Sequence, residues 1–290
     1  MNIIRSETKR AEHALLTPID FILLPLIAFP VGVLAAMVGV GGGVFVVPIL
    51  TLIYGFDTPE AFGTSLAMII FTSIFSTASY SKQKRIDYKL GLALSIATIP
   101  GAIVGALATN VIDKNQLGLI FGIFLIFVAL RMLVTYNFGK PKSRKIEKLW
   151  HRKIIDSAGT IFEYYSDLKK GFPPSFFGGF FSGLLGIGGG VVMVPIMHFL
   201  MDFPMHLAVA TSMFIMIFTS LAGAATHFTL GNVLLESMIL LCIGIVFGTQ
   251  VGAYLSKRTS GKNLRRIFGI VVILVGILMI QRYMHQLGLI

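Results

Sequence analysis

The stretch Gly39–Ile49 reads GVGGGVFVVPI, and Gly186–Ile196 reads GIGGGVVMVPI. Each lies inside a long apolar run and sets three consecutive glycines where a membrane helix would otherwise continue. A glycine costs about 1 kcal/mol against alanine at an interior helix position, so three together mark a break. A proline five residues after the last glycine (Pro48, Pro195) limits how the following half-helix can hydrogen-bond. Apolar segments interrupted at matching positions of two halves point to the binding site of a transporter.

The surrounding composition agrees. The chain has 290 residues, 55% hydrophobic and only 13% charged, with mean hydropathy +0.85. A soluble domain carries about 25% charged residues. The sequence therefore predicts an all-α polytopic integral membrane protein with room for about eight apolar segments of ~20 residues. The net charge of +11 does not indicate nucleic acid, because the basic residues fall in short loops between apolar runs, as membrane topology requires. The single cysteine, Cys242, excludes an internal disulfide and reads as a small buried hydrophobe.

The halves align without a gap at an offset of 147 residues. Gly39–Leu130 against Gly186–Ile277 gives 30 identities in 92 positions, more than shared apolar composition supplies, so an internal duplication is expected. The expected organisation is a polar tail over 1–17, a first transmembrane repeat over 18–136, a basic loop over 137–172, a second repeat over 173–285 and a short tail over 286–290. In the loop, Ile146, Leu149, Trp150 and Ile154 recur at helical spacing, which suggests an amphipathic helix on an anionic leaflet, with a solvated linker as the plain alternative.

Equivalent loops carry opposite charge signals. Loop 81–89 holds four basic residues, whereas 228–236 holds none; 110–116 has only Lys114, whereas 257–266 is strongly basic. This alternation predicts inverted repeats, each a re-entrant glycine-broken segment followed by three crossings, with 81–89, 137–172 and 257–266 cytoplasmic. Residues 18–38 are also long enough to cross, which keeps a parallel four-plus-four arrangement open.

A broken helix exposes unpaired N–H groups at the start of its second half, where the macrodipole is positive. Two such starts, at Gly41, Gly42, Gly43, Val44 and at Gly188, Gly189, Gly190, Val191, facing each other near the midplane suit a small anion. Thr64 and Ser65 with Thr211 and Ser212 offer further donors, and Gln250 is a polar group in an apolar helix. The plain readings are close helix packing for the glycines and local backbone bonding for the hydroxyls. His198, His206 and His227 have no carboxylate or cysteine at ligand spacing, so no metal, cofactor or catalytic residue is expected. A phosphate-cradling enzyme lacks a nucleophile or base near the breaks. Within transport, a permease for a cation, a metal or another small solute is the runner-up reading, disfavoured for cations by the missing mid-span carboxylates. A non-transporting scaffold leaves the hydroxyl stripes unused.

The paired motifs, each followed after about fifteen residues by Gly63-Thr64-Ser65 or Ala210-Thr211-Ser212, resemble the sulfite exporter TauE/SafE family of bacterial permeases. The resemblance covers nearly the whole chain outside the tail and the central loop. It implies an inner-membrane exporter of sulfite, sulfonates or related small organic anions. The partners expected are a small anionic substrate and the lipid bilayer, with a homodimer possible and no nucleic acid.

Overall fold

The computed structural model describes residues 18–133, 150–256 and 261–289, and side chains are described outside 131–133, 261–268, 270 and 271. The expectations for the tail 1–17, for Ile146 and Leu149, and for loop 257–260 lie outside the described residues.

Helix α1 (Asp20–Val38) leads through a glycine turn to α2 (Gly43–Pro48), which runs on as a π turn over Ile49–Ile53. Helices α3 (Thr58–Lys82), α4 (Tyr88–Ala108) and α5 (Lys114–Leu133) follow. A hairpin of β1 (Trp150–Ile155) and β2 (Ile161–Ser166) separates these from α6 (Leu168–Leu185). Then come α7 (Gly190–Pro195) with its π turn Ile196–Leu200, α8 (Met205–Thr229), α9 (Leu235–Leu255) and α10 (Gly261–Gln286). From α2 to α4, and at the start of α5, every boundary recurs 147 residues later. Among the described residues, five helices (α1, α3, α4, α8 and α9) are long and apolar enough to cross a membrane.

The helices interlock across the two halves. α3 and α8 pack antiparallel at the centre: Gly63 lies against His227, and Gly223 against Leu66. α1 packs on α9, and α6 packs in the same way on α4. Two glycines of α4 allow that close packing, because Gly101 and Gly105 meet the carbonyls of Phe176 and Phe180. A methyl group at either position would come within 2.2 Å of those oxygens. α5 and α10 pair at one side of the bundle. The polar residues of α3 and α8 turn inward, so Thr64, Ser65, Ser73, Thr211, Ser212 and Ser220 are fully buried, while Ile96, Phe127, Ile239 and Phe247 face outward. That distribution suits a lipid surround, which rewards apolar exteriors and satisfied interiors.

Both ends of the segment 20–54 meet at one face, where Tyr54 Oη donates to Asp20 Oδ1 at 3.2 Å. At the opposite face Gly171 abuts Met201, which brings together the ends of 171–201. That second face also gathers the start of the α3–α4 loop, the hairpin and the end of α9. Gln83 Nε2 donates to the Ala253 carbonyl at 3.0 Å, and Ser157 N–H to the Gln83 carbonyl at 3.0 Å.

Two expectations need correction. Trp150–Ile155 is a strand, paired with 161–166 in the register Arg152↔Tyr164, rather than part of an amphipathic helix. Its polar partners explain this, because Arg85 and Asp87 of the α3–α4 loop bind Asp156 and Arg152, which an extended ribbon presents to them. The second helical unit starts at Leu168 and not at 173, because Asp167 caps α6 by accepting from Lys169 N–H at 3.2 Å.

Candidate functional site

The two glycine turns hold their shape for two different reasons. Gly41 and Gly42 have φ of 85° and 98°, and Gly188 and Gly189 have 75° and 85°. Residues with a Cβ avoid this left-handed region. Gly43 and Gly190 have ordinary φ, but a methyl group on Gly43 would stand 2.4 Å from the Gly186 carbonyl oxygen, and one on Gly190 would stand 2.2 Å from that of Gly39. The backbones of the turns therefore touch.

The turns sit at the centre of the bundle. Gly41 and Gly188 both lie against Ile69 of α3 and Met216 of α8, residues that occupy the same position in the two halves and fall near the middle of their helices. Val44 and Val191 are buried behind them.

The hydroxyls predicted for a ligand bind protein groups across the halves. Ser65 Oγ donates to the Gly186 carbonyl at 2.7 Å, and Ser212 Oγ donates to that of Gly39 at 3.1 Å. Thr64 Oγ1 accepts from Leu234 N–H at 3.0 Å, and Thr211 Oγ1 accepts from Asp87 N–H at 3.1 Å. In each half the serine thus holds the other half's glycine turn, and the threonine holds the other half's helix start. Gln250 is not brought to the turns: it is exposed on α9, where its Oε1 accepts from Ser79 Oγ of α3 at 2.7 Å.

Several residues were missed. Tyr80 Oη donates to the Ala36 carbonyl at 2.7 Å, and His227 Nε2 stands 2.9 Å from the Gly183 carbonyl, the equivalent place in the second half. The pairing of position 80 with position 227 was visible in the 147-residue offset, but a Tyr matched to a His gave no signal of a shared task. A cavity of about 300 Å³ lies beside the second turn, lined by Val38, Val40, Phe124, Gly190, Val191 and His198 among others. Apart from His198 its side chains are apolar.

Outside the spans, the carboxylates of Asp87 and Asp156 are each held by four donors. Asp87 joins the α3–α4 loop to the hairpin. It is buried at 1% exposure and accepts from Arg152 Nε and Nη2, each at 2.7 Å, and from Tyr164 Oη at 2.7 Å. It also caps α4 through Leu90 N–H at 3.1 Å. Burial pushes its carboxyl up, but these donors outweigh burial and hold it below the usual carboxylate range. Burial and the Asp87 charge push the Tyr164 phenol up. Burial likewise opposes ionisation of Asp156, yet Arg85 and the Thr160 and Ala158 N–H groups bring it down to about 2.

The profile of the sulfite exporter TauE/SafE family matches residues 24–279, which takes in both turns and the helices that hold them. This chain belongs to the TauE/SafE family. It is a multi-pass membrane transporter, as its relatives' names agree. It is 37% identical over 268 residues to the probable membrane transporter protein YunE of Bacillus subtilis, covering 89% of this chain and 96% of that one. It is 31% identical over 284 residues to a probable membrane transporter protein of Methanocaldococcus jannaschii, covering 93% and 97%. No solved structure is a significant match. Within this TauE/SafE chain, the glycine turns and the Thr-Ser pairs are parts that clasp the halves together.

Proposed function

We propose that the protein is a secondary permease for a small anion, a sulfur oxyanion, organosulfonate or related organic anion, admitted at the glycine turns when they part. The observation that carries this reading is the placement of both turns at mid-bundle, each leading into an eleven-residue apolar helix, Gly43–Ile53 and Gly190–Leu200. The first turn of such a helix presents N–H groups without intrahelical partners and a positive dipole end. Acidic residues of the described helices stand only in first turns, at Asp20, Glu60 and Glu236, so mid-span polarity is donor-rich and uncharged. An inside-negative potential favours anion exit by about 2.3 kcal/mol per charge per 100 mV, so export needs no coupling ion.

The halves are read as an inverted duplication, each with a re-entrant glycine-broken segment and three crossings. The 147-residue offset, the antiparallel α3 and α8, and the meeting of Tyr54 with Asp20 support it. The basic loop 81–89 lies at the face that carries the hairpin. That face is therefore read as cytoplasmic and the membrane as the inner one.

The test is flux from proteoliposomes loaded with sulfite, thiosulfate, a small sulfonate or acetate. Efflux of at least one anion should quicken when a potassium diffusion potential makes the lumen negative. Gly189→Val, which forces a branched residue to φ of 85°, should insert yet lose that flux. Normal flux in Gly189→Val, or none of these anions moving in wild type, refutes the reading.

A further inference from the structure

The spans contain many hydroxyls, and most are satisfied locally. Ser95 donates to the Gly91 carbonyl at 2.9 Å, Ser175 to that of Gly171 at 2.7 Å and Thr226 to that of Ala222 at 2.9 Å, each one helical turn back. Ser182 and Ser220 do not follow this habit. Both are fully buried, and neither Oγ has a partner. Burying an unpaired hydroxyl opposes folding, so two of them near one turn call for a reason.

Their positions supply one. Ser182 stands on α6 one turn before Gly186, and a methyl group built on Gly189 would lie 3.4 Å from its Cβ and 3.7 Å from its Oγ. The hydroxyl therefore borders the second glycine turn. Ser220 lies on α8 between Met216, which touches Gly188 and Gly190, and Gly223 and His227, which touch Gly183. Positions 216, 220, 223 and 227 share one helix face, so Ser220 points at the end of α6 and the turn that follows it. In the first half the matching residues are Ala35, which has no hydroxyl, and Ser73, which donates to the Ile69 carbonyl. Ser76 and Thr77 of α3 are also unpaired, but Ala35 offers them no matching donor from α1.

We propose that Ser182 and Ser220 are side-chain donors to the transported anion, and that the binding site is therefore asymmetric, built at the second glycine turn and not shared equally between the two. This rests on the permease reading above. Hydroxyl donors together with glycine N–H groups form a neutral donor set. Such a set recognises an oxyanion by its acceptor oxygens and binds it weakly enough to release it.

The inference separates stability from function. Ser182→Ala and Ser220→Ala remove groups that bond nothing, so each variant should unfold at or above the wild-type temperature. Each should also raise the KM for the transported anion about tenfold or more, the scale of one lost hydrogen bond to a charged ligand. The control Ser95→Ala breaks a bond to its own helix and should leave KM unchanged. Adding a hydroxyl at the first turn with Ala35→Ser should not restore the KM of Ser182→Ala. Unchanged KM in both serine variants, with wild type transporting, overturns the inference while leaving the permease reading intact. A fall in unfolding temperature of several degrees in both also overturns it, since the hydroxyls would then be structural. A wild type that moves none of sulfite, thiosulfate, sulfonate or acetate refutes the permease reading and this inference with it.

Discussion

Gly190→Ala tests the contact between the turns most directly. The added methyl would stand 2.2 Å from the Gly39 carbonyl oxygen, 2.8 Å from Met216 Sδ and 3.1 Å from Val40 Cα. The sulfur can swing away, but the carbonyl is backbone and is held by Ser212 Oγ at 3.1 Å. Restoring an ordinary contact requires the turns to separate by about 1 Å. Overpacking of this kind costs about 1–3 kcal/mol. Straining the Ser212 bond adds about 1 kcal/mol more. At about 2–4 °C per kcal/mol for a chain of this size, the unfolding temperature should drop by roughly 4–16 °C. Gly223→Ala is the matched control, because its methyl is crowded only by the end of the Leu66 side chain at 3.1 Å, with its other neighbours at ordinary contact, and alanine favours the helix. Thermal unfolding of both purified variants in one detergent is the assay. A Gly190→Ala protein that melts with wild type, or no lower than Gly223→Ala, refutes the claim that the turns are in backbone contact.

The clasping serines give a second prediction. Ser65→Ala and Ser212→Ala each leave a buried turn carbonyl short of a donor, so each should cost about 1–3 kcal/mol, in contrast to the neutral Ser182→Ala. Parallel melts of the three variants decide it, and equal melting temperatures would count against the clasp. The hairpin gives a third, with Trp150, the only tryptophan, as the reporter. Arg152→Ala leaves the Asp87 carboxylate buried with one fewer cationic partner, so the hairpin should loosen and Trp150 emission should shift to the red at neutral pH. The Asp156 carboxyl is depressed to about 2 in the folded state, so its contribution is present above the unfolded value near 3.8 and is lost as pH falls toward 2. The Trp150 signal of wild type should therefore hold at pH 5 and change between about pH 4 and 2, and a flat titration would show that the Arg85–Asp156 pair does not hold the hairpin.

The helical plan was legible because it depends on patterns that the chain carries locally. Apolar runs of span length, glycine triplets and the 147-residue offset each constrain the backbone near the residues that display them. The Thr-Ser motif was legible as important but not in its role, since Thr64 and Ser65 act on Leu234 and Gly186, which lie far along the chain. The hairpin was misread for a related reason. Trp150 and Ile154 fit helical spacing, while the features that make a ribbon are the Gly159 turn at φ of 82° and the distant partners Arg85 and Asp87. Gln250 was overvalued because a polar residue in an apolar run looks the same whether it faces the bundle or an outer edge where Ser79 accompanies it.

The two halves are alike in backbone plan and unlike in how firmly their ends are held. At one face Thr211 accepts from the N–H of Asp87, and Asp87 is in turn fixed by Arg152 and Tyr164 of the hairpin. At the other face Thr64 accepts from the N–H of Leu234, whose side chain can take no ion pair or hydrogen bond. At both faces the bond across the halves is of one kind, a backbone N–H on a threonine hydroxyl, so parting the halves breaks a neutral bond at either face. The difference lies beside that bond: Arg152 and Tyr164 fix the Asp87 carboxylate to the hairpin, and charge-assisted bonds are about twice as strong as neutral ones. Asp87 stands where the other half has Leu234, so an ion pair ties the helix start at the hairpin face to the hairpin, while a leucine at the matched place can form none.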